Sequence, residues 1–191
     1  MPELTTRRRI RNAAIRLFAE KGFAATSTRE ICERAHVTKP VLYYHFRSKD
    51  DLYRELFVDA CNESRRRLAE AAKRGRDARQ KLVDVLAEDF ALTRKDPKLS
   101  LMLFRMIFAP GKDEPTVDYI GMGMEWLRLL AGIVSEGVRG GEIKGKPREI
   151  AEAFMGIHLI YTISYLFLRE PPLDRPLARR IVNLVFGGCT R

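Results

Sequence analysis

Residues 27–52 read STREICERAHVTKPVLYYHFRSKDDL, and three helix starts are written into them. Ser27 followed by Glu30 has the form of a capping box, in which the hydroxyl accepts from the third amide and the carboxylate returns to the amide of the cap. The helix it opens runs through Ile31 to about Ala35. After His36-Val37, Thr38 offers a second cap, and a brief helix is expected from Lys39 to about Phe46. Ser48 caps a third start, and Asp50 and Asp51 fall in its first turn, where carboxylates complement the helix dipole. Two short capped helices joined by a tight turn form a helix-turn-helix.

The flanks support that reading. Upstream, Ile10, Ala13, Ala14, Leu17 and Phe18 recur at helical spacing and predict an amphipathic helix from about Thr6 to Lys21, stopped by Gly22. Its opposite face carries Arg8, Arg9, Arg11 and Arg16. Downstream, a long helix is expected from about Lys49 to Lys73, with Leu52, Leu56, Ala60 and Cys61 towards the interior. Further helices are expected at about 77–95, 97–109, 115–139, 147–169 and 174–187. Asp96-Pro97, Ala109-Pro110-Gly111, the Gly140–Pro147 loop and Pro171-Pro172 divide them. Strand-like alternation and internal repeats are absent. The fold class is therefore all-α, with about nine helices. A three-helix domain over residues 1–60 precedes a helical body over 61–191, expected to serve ligand binding and dimerisation.

Charge is concentrated at the N-terminal end. Residues 1–50 hold 11 Lys and Arg against 5 Asp and Glu, whereas the other 141 hold 24 against 20. A basic module on a near-neutral body is the electrostatic footprint of a polyanion binder. Cys32, Cys61 and Cys189 are odd in number and far apart, which argues against a disulfide framework or a zinc site and fits a reducing cytosol. The Arg-rich N-terminus, with no uninterrupted apolar run behind it, does not read as a signal peptide. The longest apolar stretch, Phe154 to Leu168, is interrupted by His158, Thr162 and Ser164 and falls short of the roughly 20 residues a membrane span needs. It reads as a buried helix, and a cytoplasmic protein without a membrane partner is expected.

The second helix of a helix-turn-helix fits the DNA major groove, which is about 12 Å wide. Here Leu42 and Phe46 can anchor that helix to the core. Lys39, Pro40, Val41, Tyr43, Tyr44 and His45 are left for the exposed faces. Lys39 can donate to guanine edges or phosphate, and Pro40 and Val41 can touch a thymine methyl. The two tyrosines and the histidine can reach phosphate oxygens with a polar tip. Lys49, beside the amides of a helix start, suits a phosphate.

Residues 28–52 together resemble the DNA-binding signature of the tetracycline-repressor family, and the resemblance extends over about residues 6–60. It implies a homodimeric regulator, most often a repressor, released from a palindromic double-stranded operator by a small molecule. It also implies DNA contacts from Ser27, Thr28 and Arg29 at the second helix, from Thr38, Lys39, Pro40, Val41, Tyr43, Tyr44 and His45 on the third, and from Lys49. His36 departs from the family's usual glycine, at a site that requires a left-handed backbone.

The rest of the chain holds most of the large apolar side chains. Phe90, Met102, Phe104, Met106, Phe108, Trp126, Leu130, Phe154, His158, Tyr161 and Tyr165 are candidates for an interior pocket suited to a mostly apolar or aromatic effector. Plain core packing is the competing reading for each, and for His158 a satisfied core histidine. Ile181, Val182, Leu184, Val185 and Phe186 make the last helix apolar on more than one face, as the eighth is. A partner subunit is the economical cover, so the eighth and ninth helices are expected to form a two-fold four-helix interface.

A helical enzyme or small-molecule carrier with an incidental basic end is the rival reading, and a sequence-independent architectural DNA binder is a third. No nucleophile–base pair, metal cluster or phosphate loop supports the first of these. Gly121-x-Gly123 and Gly140-Gly141 follow no strand and are not dinucleotide fingerprints. No enzyme activity, cofactor or metal is expected.

Overall fold

The computed structural model describes residues 2–187, with side chains from residue 5. Among the described residues there are nine α-helices and no strand. They are α1 (Pro2–Lys21), α2 (Thr28–Ala35), α3 (Lys39–His45), α4 (Lys49–Ala72), α5 (Ala78–Lys95), α6 (Pro97–Phe108), α7 (Tyr119–Arg139), α8 (Pro147–Leu168) and α9 (Arg175–Gly187). Cys32 is buried and Cys61 half-buried, while Cys189 lies outside the described residues.

Local chemistry sets the helix ends. Gly22, at φ 83°, stops α1. The Ser48 hydroxyl accepts from the amide of Asp51 at 3.0 Å and starts α4. A carboxylate oxygen of Asp96 accepts from the amide of Leu99 at 2.9 Å and starts α6, with Pro97 following where a missing N–H costs nothing. One start differs from the sequence reading. The seventh helix begins at Tyr119 rather than at about 115, because Pro115 is buried and the β-branched Thr116 and Val117 that follow are poor residues for a first turn.

The chain forms two compact units. The first comprises Met1–Cys61 and Asp96–Asp118. Its core contains Ile10, Ala14, Leu17, Phe18, Ile31, Leu42, Leu52 and Leu56, all buried. Phe18, Phe23 and Tyr53 pack as an aromatic trio with ring centroids 4.8–5.7 Å apart. Arg11 bridges from α1 to Glu55 at 2.8 Å and Asp59 at 2.6 Å on α4. Helix α6 packs on α1 in this unit and buries Met102 and Met106. The Tyr53 hydroxyl donates to Glu114 at 2.7 Å. Burial and the adjacent carboxylate push the Tyr53 phenol far up, so it remains a donor. The division expected at residue 60 therefore misses residues 96–118. An amphipathic helix states that it has an apolar face, not which distant segment will cover it.

The second unit comprises Asn62–Lys95 and Tyr119–Arg191. Its core is built from α5, α7, α8 and α9 around Leu82, Leu86, Phe90, Leu130, Val134, Phe154, Ile181 and Phe186. The reading of residues 154–168 as a buried helix needs correcting. Helix α8 buries Ile150, Ala151, Phe154, Thr162 and Leu166, but Ile160, Phe167 and Leu168 are exposed. It is also the one helix among the described residues long and apolar enough to cross a membrane by length and composition.

His36 occupies the left-handed conformation that the turn requires, at φ 53° and ψ 52°, and closes α2 with backbone bonds back to Cys32 and Glu33. A non-glycine residue there carries a cost of about 1–2 kcal/mol. Glycine removes that cost but gives back part of the gain through its larger unfolded-state entropy. His36→Gly is therefore expected to stabilise the protein by about 0.5–1 kcal/mol and raise the Tm by about 1–4 °C. Thermal unfolding followed by circular dichroism checks this, and a lowered Tm would contradict it.

Candidate nucleic-acid interface

The turn between α2 and α3 is held from both sides. At the start of α2 the Ser27 hydroxyl accepts from the amide of Glu30 at 3.2 Å, while the Ser27 amide donates to the Glu30 carboxylate at 2.9 Å. Lys21, followed by the Ser27 amide and hydroxyl, holds the Glu30 carboxyl down at about 2. A depressed folded-state value means that this contribution is complete above the ordinary carboxylate range and is lost progressively as pH falls from that range through about 2. At the other end Leu42 and Phe46 are buried and fix the roll of α3.

With those anchors in place, the expected reading face of α3 is turned outward. Lys39, Pro40, Val41, Tyr43 and Tyr44 are exposed, Tyr44 by 76%, and His45 is half-buried with its ring 5.2 Å from that of Tyr44. Burial of the two tyrosines as core is thereby ruled out. Thr38 makes no side-chain cap bond, contrary to its expected capping role, so its exposed hydroxyl is not engaged at the helix start. At the start of α2, Thr28 is half-exposed and Arg29 is exposed, the latter paired with Glu33 at 2.8 Å along the helix.

Two expected DNA contacts are otherwise engaged. The Ser27 hydroxyl is committed to the capping box, accepting from the Glu30 amide and donating to its carboxylate at 2.9 Å. Lys49 is engaged within its own unit. Its ammonium donates to the carbonyls of Phe23 at 3.0 Å and Thr26 at 2.9 Å and sits 3.9 Å from the centroid of the Phe23 ring. Burial pushes its pKa down. The reason is geometric: the α1–α2 loop presents two carbonyls without helical partners, and the Lys49 stem reaches them. Sequence reasoning passed over Arg47, which is exposed in the α3–α4 turn. Its signal was available, since a basic residue directly after the anchoring Phe46 must leave the core.

The expected effector residues do not form one set. Met102, Phe104, Met106 and Phe108 lie on α6 in the first unit, and Phe108 is 60% exposed rather than interior. The Phe104 and Phe108 rings stack at 5.6 Å. Phe90, Leu130 and Phe154 are fully buried in the second unit, and Trp126, Tyr161 and Tyr165 pack partly buried against the same core. His158 has a partner that the sequence did not suggest: Asp89, on α5, lies 2.5 Å from its Nε2.

Comparison with known proteins places this geometry. Residues 10–56 match the family model described as bacterial regulatory proteins, tetR family. The fatty acid metabolism regulator protein of Bacillus subtilis (strain 168) is 28% identical over 180 residues, covering 93% of this chain and 92% of that protein. The HTH-type transcriptional regulator AcrR of Shigella flexneri is 42% identical over 52 residues, 27% of this chain and 24% of its own. Among solved structures, the transcriptional regulator FadR from Bacillus subtilis in complex with stearoyl-CoA superposes with a TM-score of 0.77 at 22% identity, covering 95% of this chain and 98% of that one. At that identity the structural likeness is one of fold.

Proposed function

We propose that this tetR-type transcriptional regulator is a cytoplasmic homodimeric repressor, not an enzyme, which leaves a palindromic operator when a long-chain acyl thioester binds its helical body. The observation that carries the reading is the coincidence of the tetR-family match with a helix-turn-helix whose second helix is pinned by Leu42 and Phe46 and exposes Lys39, Tyr43 and Tyr44. The choice of effector is supported by the likeness, over nearly the whole chain, to a fatty acid metabolism regulator, and by the stearoyl-CoA held by a protein of the same fold. The large apolar content of α5, α7 and α8 suits an acyl chain.

In this reading the exposed apolar faces of α8 and α9 pair two copies and place two α3 helices in successive major grooves, roughly 34–36 Å apart. Helix α4 carries residues of both compact units, 49–61 and 62–72, and is the route by which effector binding reaches the groove-facing helices. By linkage, an effector that weakens operator binding binds the operator complex more weakly by the same factor.

Fluorescence anisotropy with a labelled palindrome from the region upstream of its own coding sequence tests the reading. Tyr44→Ala is expected to cost about tenfold per half-site, hence about 100-fold for the dimer, with an unchanged Tm because the side chain is mostly exposed. Excess stearoyl-CoA is expected to release the DNA. No preference for the palindrome over random duplex would overturn the operator assignment, and retention of DNA in saturating stearoyl-CoA would overturn the effector assignment.

A further inference from the structure

Three helices of the second unit bring polar groups to one point in an apolar body. Helix α5 supplies Asp89 and Phe90, α7 supplies Trp126, and α8 supplies His158 and Thr162. The His158 ring stacks on Phe90 at 5.4 Å with an interplanar angle of 16°, and its centroid lies 4.8 Å from that of Trp126. Its Nε2 lies 2.5 Å from Asp89 Oδ2 and 3.2 Å from the buried Thr162 hydroxyl. The carboxylate accepts, so Nε2 carries a proton, and the ring is fixed in tautomer and orientation. The side chains of His158 and Asp89 are 14% and 17% exposed.

Trp126 Nε1 is different. It is the buried side-chain nitrogen or oxygen that has no hydrogen-bond partner among the described residues. A buried N–H left unmade is expensive, and indole nitrogens in protein interiors usually find an acceptor. Here the ring lies against a histidine that is held rigid from its other side. This arrangement withholds the imidazole Nε2 as an acceptor by committing it to Asp89, and leaves the indole donor open.

We infer that Trp126 Nε1, in the aromatic box completed by His158 and Phe90 and held by Asp89, is the donor that takes the carbonyl oxygen of the effector's head, selecting a neutral thioester carbonyl over a carboxylate. The inference rests on the acyl-thioester reading above and adds the group that recognises the head. The selectivity follows from charge. Whether His158 carries one proton or two, the His158–Asp89 pair has no net positive charge, so a carboxylate finds no counter-ion in it. A carbonyl needs only the donor. Asp89 is a positioning residue in this arrangement, acting through the imidazole.

The chain has a single tryptophan, so one indole N–H resonance reports on the site without assignment. The test compares stearoyl-CoA with S-octadecyl-CoA, the thioether that keeps the chain and the nucleotide but lacks the carbonyl oxygen. In the native protein the thioester is expected to bind about tenfold more tightly than the thioether and to move the indole proton downfield, and the thioether to leave it in place. In Trp126→Phe the two ligands are expected to bind equally. Equal affinity for both in the native protein, together with release of DNA by both, overturns the carbonyl assignment and leaves the effector reading standing. Failure of stearoyl-CoA either to bind or to release DNA overturns both. Should Trp126→Phe not fold, the indole shift in the native protein decides alone: movement with both ligands, or with neither, overturns the assignment.

Discussion

Ile160→Glu combined with Phe167→Glu is expected to make the protein monomeric and to weaken operator binding by at least about 100-fold. Ile160 is 58% exposed and Phe167 is 70% exposed, on a helix whose other side is in the core. Ala153, Gly156, Ile160 and Phe167 fall at intervals of three, four and seven along α8 and are all exposed, so they form one stripe, and Leu184 on α9 is exposed as well. An exposed apolar stripe of this length marks an interaction surface. Burying one such side chain fully is worth about 1.5–3 kcal/mol, and a two-fold interface counts each residue twice, so the double variant removes on the order of 6–12 kcal/mol from the dimer. The fold should survive, since neither side chain belongs to the core of the unit. Analytical ultracentrifugation gives the mass, and anisotropy gives the operator affinity. A dimer of native stability would show that α8 is not the interface.

That stripe marks the boundary between what the sequence stated and what it withheld. Helix ends were legible because they depend on neighbours in the chain: Ser27 with Glu30, Ser48 with Asp51, Gly22 and His36 each act within a few residues. The reading face of α3 was legible for the same reason, since burial of Leu42 and Phe46 at a spacing of four leaves Tyr43 and Tyr44 outside. Partners distant in the chain were not legible. Nothing near Met102 or Met106 says that they pack with the first unit, and nothing near Asp89 announces an imidazole that arrives 69 residues later. The apolar run in α8 shows the limit most plainly. Composition marked it for burial, but one face waits for cover, because hydrophobicity records that a surface should leave water and not which surface it will meet.

Lys49→Met is expected to lower the Tm by about 4–8 °C while leaving the salt dependence of operator binding unchanged. The ammonium joins the carbonyls of Phe23 and Thr26 to the first turn of α4, and so holds the α1–α2 loop against the helix that follows α3. Bonds from a charged donor are worth about 1.5–3 kcal/mol each in buried sites. The site is only half-buried, so a loss of about 2 kcal/mol for the pair is the appropriate scale, and in a chain of this size each kcal/mol moves the Tm by about 2–4 °C. Methionine keeps an unbranched apolar stem of similar length and removes the ammonium, with both its carbonyl bonds and its contact over the Phe23 ring, which isolates the charged head as the cause. The phosphate role that sequence resemblance assigns to Lys49 makes the opposite pair of expectations. Removing one phosphate contact per protomer would flatten the slope of log K against log salt by about 0.9 for each, and would leave the Tm alone. Measuring both quantities on one variant therefore separates a lysine that reads DNA from a lysine that holds the reading domain together, and the two carbonyl bonds to Phe23 and Thr26 favour the second.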